Sequence, residues 1–384
     1  MRPFAVRWDE ADVRRLYDQV RRYPQPPMPQ GAGWQYGCDP EFLRRLCIHW
    51  VDGFDVRRAE AELNRFPQVI HRVEDIDIHA VHVVGEAGGR HPLLLTHGWP
   101  GSVYEFWQAA EPLAFPSRFG GRAGDAFDLV IPSLPGFGFS GPPRSPIGAR
   151  TAARLFHVLM RDGFGYQRFL AQGGDWGAAV TAWLALDYPD SIRAIHLNSI
   201  LVRPGAGPQT REEVAWTTAR TTVEQQLGGY ELLQRTRPLS LAYAMAGNPV
   251  AQAAWLVERF HDWADLRERP FEAVFTDDQL LTNVMIYVMN GAFPTSTWFY
   301  AAAAVEGVHE MPAGRRVEVP TAVAAHPDPR APFPPRSWVE RGYNVTRWTD
   351  LPRGGHFVAM EAPDLFVDDL RAWAADLPDR GALA

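Results

Sequence analysis

Lysine is absent from the 384 residues, so all 38 strongly basic side chains are arginine. That excludes a Schiff-base lysine, the lysine of a Walker A phosphate loop and a Ser–Lys catalytic pair. Cysteine is nearly absent too. Cys38 and Cys47 are the two present, which rules out a disulfide framework and disfavours a cysteine zinc site. No apolar run approaches the roughly 18 residues that cross a bilayer, and residues 1–10 lack the apolar core of a secretory signal. Excess positive charge is missing: the net charge of −7 argues against a general nucleic-acid binder, because such surfaces must neutralise phosphates. Histidines are scattered without an HExxH pattern, and no dinucleotide-type glycine loop leads from a strand into a helix. Neither a metal nor an organic cofactor is therefore expected. The expectation is a soluble, cytoplasmic chain with no membrane anchor and no nucleic-acid partner.

What is present is a large core-forming fraction. Hydrophobic residues make up 46% and charged residues 22%, which excludes global disorder. The length fits one large enzyme domain with an insertion, or two ordinary domains. Three amphipathic helix patterns open the chain. They are carried by Val13, Leu16, Tyr17 and Val20, by Leu43, Leu46, Cys47 and Trp50, and by Val56, Ala59, Leu63 and Phe66. Asp39-Pro40 and Asp55 read as helix starts. The Pro/Gly-rich stretch 23–37 reads as a surface meander.

The period then changes. Ile76, Ile78, Ala80 and His82 alternate as in a strand. Short buried-strand runs occur at 92–96, 127–131, 169–171 and 192–197, with helical segments at 151–161 and 178–188. This alternation implies an α/β domain with a mostly parallel sheet. From 203 to 311 the strand signal gives way to helical patterns. Strand runs return at 321–325 and 345–348, before a last helix at 363–377. The expected division is a helical meander region (1–85) and an α/β core in two stretches (86–202 and 316–384), separated by a helical cap (203–315). An insertion of this kind, at the carboxyl ends of the strands, covers the place where such sheets bind ligands.

Three segments carry chemistry. Gly173-Gly174-Asp175-Trp176-Gly177 follows a strand and precedes a helix. Small residues around one polar residue are what a nucleophile elbow needs; a glycine turn with a helix-capping Asp is the plainer alternative. His97-Gly98-Trp99-Pro100-Gly101 follows the 92–96 strand. Its Trp99 N–H, with that of Trp176, suits an oxyanion hole, while His97 itself reads as a loop holder. Arg353-Gly354-Gly355-His356-Phe357 lies between the last strand and the last helix, where an α/β hydrolase carries its general base. Asp175 as nucleophile points to attack on an sp3 carbon, with His356 then activating water to hydrolyse the ester. Epoxides and alkyl halides are the suitable electrophiles.

With these motifs, the sequence resembles the microsomal-type epoxide hydrolases of the α/β-hydrolase superfamily across nearly its whole length. Further matching segments are 50–55, 63–68, Pro135-Gly136-Phe137-Gly138-Phe139-Ser140 and Leu280-Leu281-Thr282-Asn283-Val284-Met285. The resemblance implies an α/β-hydrolase fold with helices on both faces of the sheet, a helical cap and an N-terminal helical meander. It implies a small-molecule epoxide and water as the reacting partners and a role in detoxification or natural-product biosynthesis. It leaves a homodimer open. It also implies two cap tyrosines that hydrogen-bond the epoxide oxygen, matched here by Tyr230 and Tyr300. Where relatives place the acid that orients the histidine, this chain has Pro329. Asp328 is the nearest carboxylate, and Asn198 is a second candidate. The cap aromatics Trp216, Trp255, Trp263 and Trp298 suggest a bulky or aryl substrate. A haloalkane dehalogenase, with Trp176 stabilising the leaving halide, and a catalytically weak ligand-binding scaffold are the competing readings.

Overall fold

The computed structural model describes residues 1–88, 91–329 and 333–377. Three aspartates start its first helices. Asp9, Asp39 and Asp55 accept first-turn amides of α1 (Glu10–Arg21), α2 (Pro40–Asp52) and α3 (Val56–Leu63), donors that no helical carbonyl can reach. The buried faces are Val13, Leu16 and Val20 on α1, Leu43, Leu46 and Trp50 on α2, and Val56, Ala59 and Leu63 on α3. These are the faces that the 3.6-residue period marks. The stretch 23–37 holds no helix or strand. Trp34 pins it down by stacking on His261 at 3.9 Å between ring centroids and packing edge-on against Phe271.

Among the described residues nine strands form one sheet: β1 (Arg2–Phe4), β2 (Gln68–Val73), β3 (Ile76–Val83), β4 (Pro92–Thr96), β5 (Asp128–Pro132), β6 (Phe169–Gly173), β7 (Ile192–Leu197), β8 (Val317–Ala325) and β9 (Tyr343–Asp350). Their spatial order is β1-β2-β3-β5-β4-β6-β7-β8-β9. The pairs from β1 to β5 through β2 and β3 are antiparallel and the rest are parallel. Every residue of β4, β5 and β6 is buried, because helices cover both faces there. β1 and β2 escape sequence reading because they lie at the sheet edge, where β2 mixes Gln68, His71 and Arg72 into its apolar positions.

The helices α4 (Trp107–Ala114), α5 (Ala149–Val158) and α6 (Asp175–Asp187) alternate with the central strands. The helix expected to reach residue 161 ends its regular part at Val158 and widens into a π-turn over Leu159–Gly163. Seven helices separate β7 from β8: α7 (Arg211–Leu227), α8 (Gly229–Thr236), α9 (Pro238–Met245), α10 (Pro249–Trp263), α11 (Phe271–Val274), α12 (Asp277–Met289) and α13 (Ala292–Glu306). Capping boxes on Thr210 and Thr276 start α7 and α12. The chain finishes with α14 (Arg336–Gly342), α15 (Val358–Glu361) and α16 (Pro363–Asp376). Among the described residues no helix is long and apolar enough to cross a membrane.

Candidate active site

β6 ends at Gly173 and α6 begins at Asp175. Asp175 has a φ of 48°, a left-handed conformation that is costly for a residue with a Cβ and typical of a strained functional turn. Close approach dictates the neighbouring glycines. A Cβ on Gly173 would strike the Gly177 carbonyl, and one on Gly177 would strike the Thr96 carbonyl. The Asp175 side chain is therefore held at the carboxyl end of the central strands, where ligands of such sheets bind.

The turn after β4 meets this carboxylate. The Trp99 N–H donates to Oδ1 of Asp175 at 3.0 Å. His97 shapes the turn: Leu134 N–H donates to its Nε2 at 3.1 Å, and its Nδ1 lies 2.9 Å from the Gly98 carbonyl. That network assigns the proton to Nδ1. It also makes His97 a bridge between two loops. Helix α12 anchors the same turn from the insertion. Asn283 donates to the Pro100 carbonyl (2.9 Å), Ser102 to Oδ1 of Asn283 (2.8 Å) and Tyr287 to the Gly101 carbonyl (2.7 Å).

His356 lies between two carboxylates. Its Nε2 is 3.5 Å from Oδ2 of Asp175, and its Nδ1 is 3.6 Å from Oδ2 of Asp328. The imidazole is almost fully enclosed and packs edge-on against Trp263 at 4.9 Å. Asp328 leaves the end of β8, and its amide donates to the His326 carbonyl at 2.8 Å. Asn198, the other candidate, is engaged elsewhere. Its Oδ1 accepts from Gln172 at 2.8 Å, and its amide packs beneath Gly174.

Aromatic rings wall the site. Tyr230 stacks on Trp99 at 5.3 Å, Tyr300 meets Trp176 edge-on at 4.9 Å, and the two tyrosine rings are 6.0 Å apart. Burial first, then the neighbouring Tyr230 and Asp175, pushes the Tyr300 phenol well above its ordinary value, so it remains a proton donor across the neutral range. Asp175, His356, Asp328, Trp99, Trp176, Tyr230 and Tyr300 thus gather at one place, with Asn198 beneath the elbow but turned to Gln172 rather than to His356. Trp176 occupies the second position of α6, directly after Asp175.

The family model for the epoxide hydrolase N terminus matches residues 1–106, and the model for the α/β-hydrolase fold matches residues 91–299. The chain is 38% identical to a protein of Stigmatella aurantiaca provisionally named an epoxide hydrolase, over 96% of this chain and 83% of that relative. It is 32% identical to epoxide hydrolase 1 of Sus scrofa, over 97% of this chain and 88% of the relative. The chain belongs to the epoxide hydrolase family. Among solved structures of epoxide hydrolases, the juvenile hormone enzyme of the silkworm Bombyx mori superposes with a TM-score of 0.86 at 26% identity, covering 98% of this chain and 94% of that one. The enzyme of Aspergillus niger gives 0.83 at 27% identity, covering 98% and 96%.

In this member of the epoxide hydrolase family, Glu105, like Asn283 and Tyr287, escapes sequence reasoning. Glu105 lies against Gly101 and hydrogen-bonds the Gly98 backbone. Burial, then the charge of Asp175, holds its carboxyl well above the usual carboxylate range. Both effects favour the neutral acid behind the Trp99 turn, which limits the negative charge beside Asp175. The only sequence signal is an acidic residue eight positions after His97, which solvent exposure would explain equally well.

Proposed function

We propose that this chain opens an epoxide to a vicinal diol through a covalent ester on Asp175. The observation that carries the reading is the pair of distances at His356, 3.5 Å to Asp175 and 3.6 Å to Asp328, with the Trp99 amide on the opposite oxygen of the nucleophile. Those contacts assign different work to the two oxygens of Asp175. Oδ2 attacks a ring carbon, and the C–O bond of the epoxide breaks. Tyr230 and Tyr300 donate to the departing oxygen, a form of acid catalysis worth about 10²–10⁴ in rate. Oδ1 becomes the ester carbonyl and already lies where the Trp99 amide can hold an oxyanion. His356, oriented by Asp328, takes a proton from water, which adds to Cγ of the ester. The Trp176 amide is the natural second donor to the oxyanion. Collapse releases the diol with Oδ2 and leaves the water oxygen on Asp175.

The proposed substrate is a bulky or aryl epoxide, a reading supported by the apolar cavity beside Tyr230, Trp263 and Asp328. Its apolar lining includes Ile200, Leu201, Trp216, Val223, Leu227 and Phe333. On its charged wall Arg220 pairs with Glu224 at 2.6 Å, beside Glu231 and Asp328. Detoxification and natural-product biosynthesis are both consistent with such a substrate.

A single turnover with excess enzyme in oxygen-18 water tests the mechanism. The first diol should carry no label, and the label should enter Asp175. Solvent oxygen appearing directly in that diol would overturn the aspartyl-ester reading. A second reading, haloalkane dehalogenation, draws on the buried indoles of Trp99 and Trp176 beside Asp175; the Trp99 N–H has no acceptor in hydrogen-bond geometry among the described residues, and that of Trp176 faces Tyr300. Halide release from bromoalkanes without diol formation from epoxides would favour it.

A further inference from the structure

Each of the four backbone N–H groups of residues 354–357 donates to a fixed acceptor. Gly354 donates to Oδ2 of Asp265 (3.2 Å), Gly355 to Oε2 of Glu361 (2.8 Å), His356 to the Trp263 carbonyl (2.9 Å) and Phe357 to Oε1 of Glu361 (2.9 Å). Oε2 of Glu361 also accepts the Asp265 amide at 2.7 Å. One carboxylate thus grips the peptides before and after His356 and ties both to the segment that follows α10. Gly355 permits the approach, since a Cβ there would lie 2.6 Å from the Trp263 carbonyl oxygen. Asp265 is fixed in turn by Arg267 at 2.7 and 2.9 Å, and Arg267 reaches the Pro352 carbonyl at 3.0 Å.

We propose that Glu361 is a positioning residue for His356, its two oxygens fixing the peptide planes on either side of the base so that the imidazole keeps its reach to the ester and to Asp328. This rests on the aspartyl-ester reading and goes beyond it. Glu361 touches neither substrate nor the reacting atoms; it acts through the loop. Glu361 is only 4% exposed; burial raises its carboxyl to about 7 while the amides of Asp265, Gly355 and Phe357 hold it down, so its charged form depends on those donors. Glutamine cannot replace it in this role. It has one acceptor oxygen, so its NH₂ group would face an amide donor on one side. The displaced loop would then hold the base out of line, and misplacement of a catalytic group by about 1 Å costs about a hundredfold in rate.

The two chemical steps separate this role from a merely structural one. Ester formation does not need His356 as a base, whereas ester hydrolysis does. Rapid-quench single turnovers of styrene oxide with excess enzyme, read by intact-protein mass, follow the adduct as it rises and decays. In Glu361→Gln the rise should stay within about threefold of the parent chain, while the decay slows about tenfold to a hundredfold. Glu361→Asp keeps both oxygens on a shorter stem and should fall between the two; it decides the matter if the glutamine variant does not fold. Equal slowing of both steps, or decay that ignores these substitutions, overturns the proposal. A different result, no adduct in either the parent chain or His356→Gln, sinks the aspartyl ester itself.

Discussion

Asp328 places Oδ2 3.6 Å from Nδ1 of His356, on the ring edge opposite to the nucleophile. A carboxylate there favours the tautomer with its proton on Nδ1 and leaves Nε2, which faces Asp175 at 3.5 Å, free to accept a proton from water. In the proposed mechanism it also stabilises the imidazolium that forms. Asp328→Asn keeps the shape and loses both effects. The expected result is a slower second step, by about 10²–10⁴, with little change in the first. A pre-steady-state burst of ester close to one per enzyme, followed by slow turnover, is the signature. A variant with a parent-like steady state and no burst would move the orienting role away from Asp328.

The tyrosines should govern the other half of the reaction. Both rings pack on Trp99, whose amide meets the nucleophile, so a phenol lost from either leaves one donor to the epoxide oxygen. Tyr230→Phe and Tyr300→Phe should each lower the rate of ester formation about tenfold to a hundredfold, and the double variant should fall further, toward the full loss of acid catalysis of about 10²–10⁴. Stopped-flow tryptophan fluorescence is suited to this measurement, given Trp99, Trp176 and Trp263 around the site. Formation rates unchanged in the double variant would exclude both phenols from ring opening.

The elbow glycines make a stability prediction. An alanine methyl at Gly177 must push against the Thr96 carbonyl, backbone in a central strand that cannot swing aside. Gly177→Ala should destabilise the fold by about 2–4 kcal/mol. Gly229, in the first turn of α8, has nothing within 4 Å of its would-be Cβ. Gly229→Ala should be neutral or stabilising by a few tenths to about 1 kcal/mol. Urea unfolding midpoints for the pair decide the point; equal midpoints would mean that the elbow tolerates the methyl.

Much of this site is legible in the chain because its chemistry is local. Glycines at 173, 174 and 177 around one carboxylate announce a turn in which backbone approaches backbone, and the buried runs on either side place it between strand and helix. Asp328 is harder to read. It sits among prolines after β8, and only the curvature of the fold brings it to His356. Asn198, just after β7, can accept a hydrogen bond but carries no charge, and Gln172 and the floor of the elbow engage it. Glu105, Asn283, Tyr287 and Glu361 act through backbone groups. Backbone amides and carbonyls carry no residue identity, so no spacing rule reveals such partners before the fold does.

Buried histidines give the last prediction, a share of the stability that is lost early in acid. His79 is bonded to Ser133 at 3.0 Å and to Gln68 at 2.8 Å, and burial, then the nearby His97, lowers it to about 3. Burial also lowers His97 to about 4, even though the Gly98 carbonyl and Asp175 favour its charged form. Both folded values lie below the ordinary 6.5, so between about pH 6.5 and 4 the unfolded chain binds protons that the native one refuses. The stability these groups contribute is fully present above pH 6.5 and is lost as the pH falls toward their folded values. Each adds a slope of about 1.4 kcal/mol per pH unit inside that window. Glu105 and Glu361, whose carboxyls burial raises, contribute with the opposite sign over the same range, so the histidine contribution is read as the difference between the urea-midpoint profiles of the parent chain and a variant. His79→Gln should remove about one proton's worth of slope from that profile, since glutamine can still hydrogen-bond Ser133 and Gln68 but has nothing to titrate. A His79→Gln profile that runs parallel to that of the parent chain between pH 7.5 and 5.5 would mean that the His79 imidazole accepts its proton in the folded state.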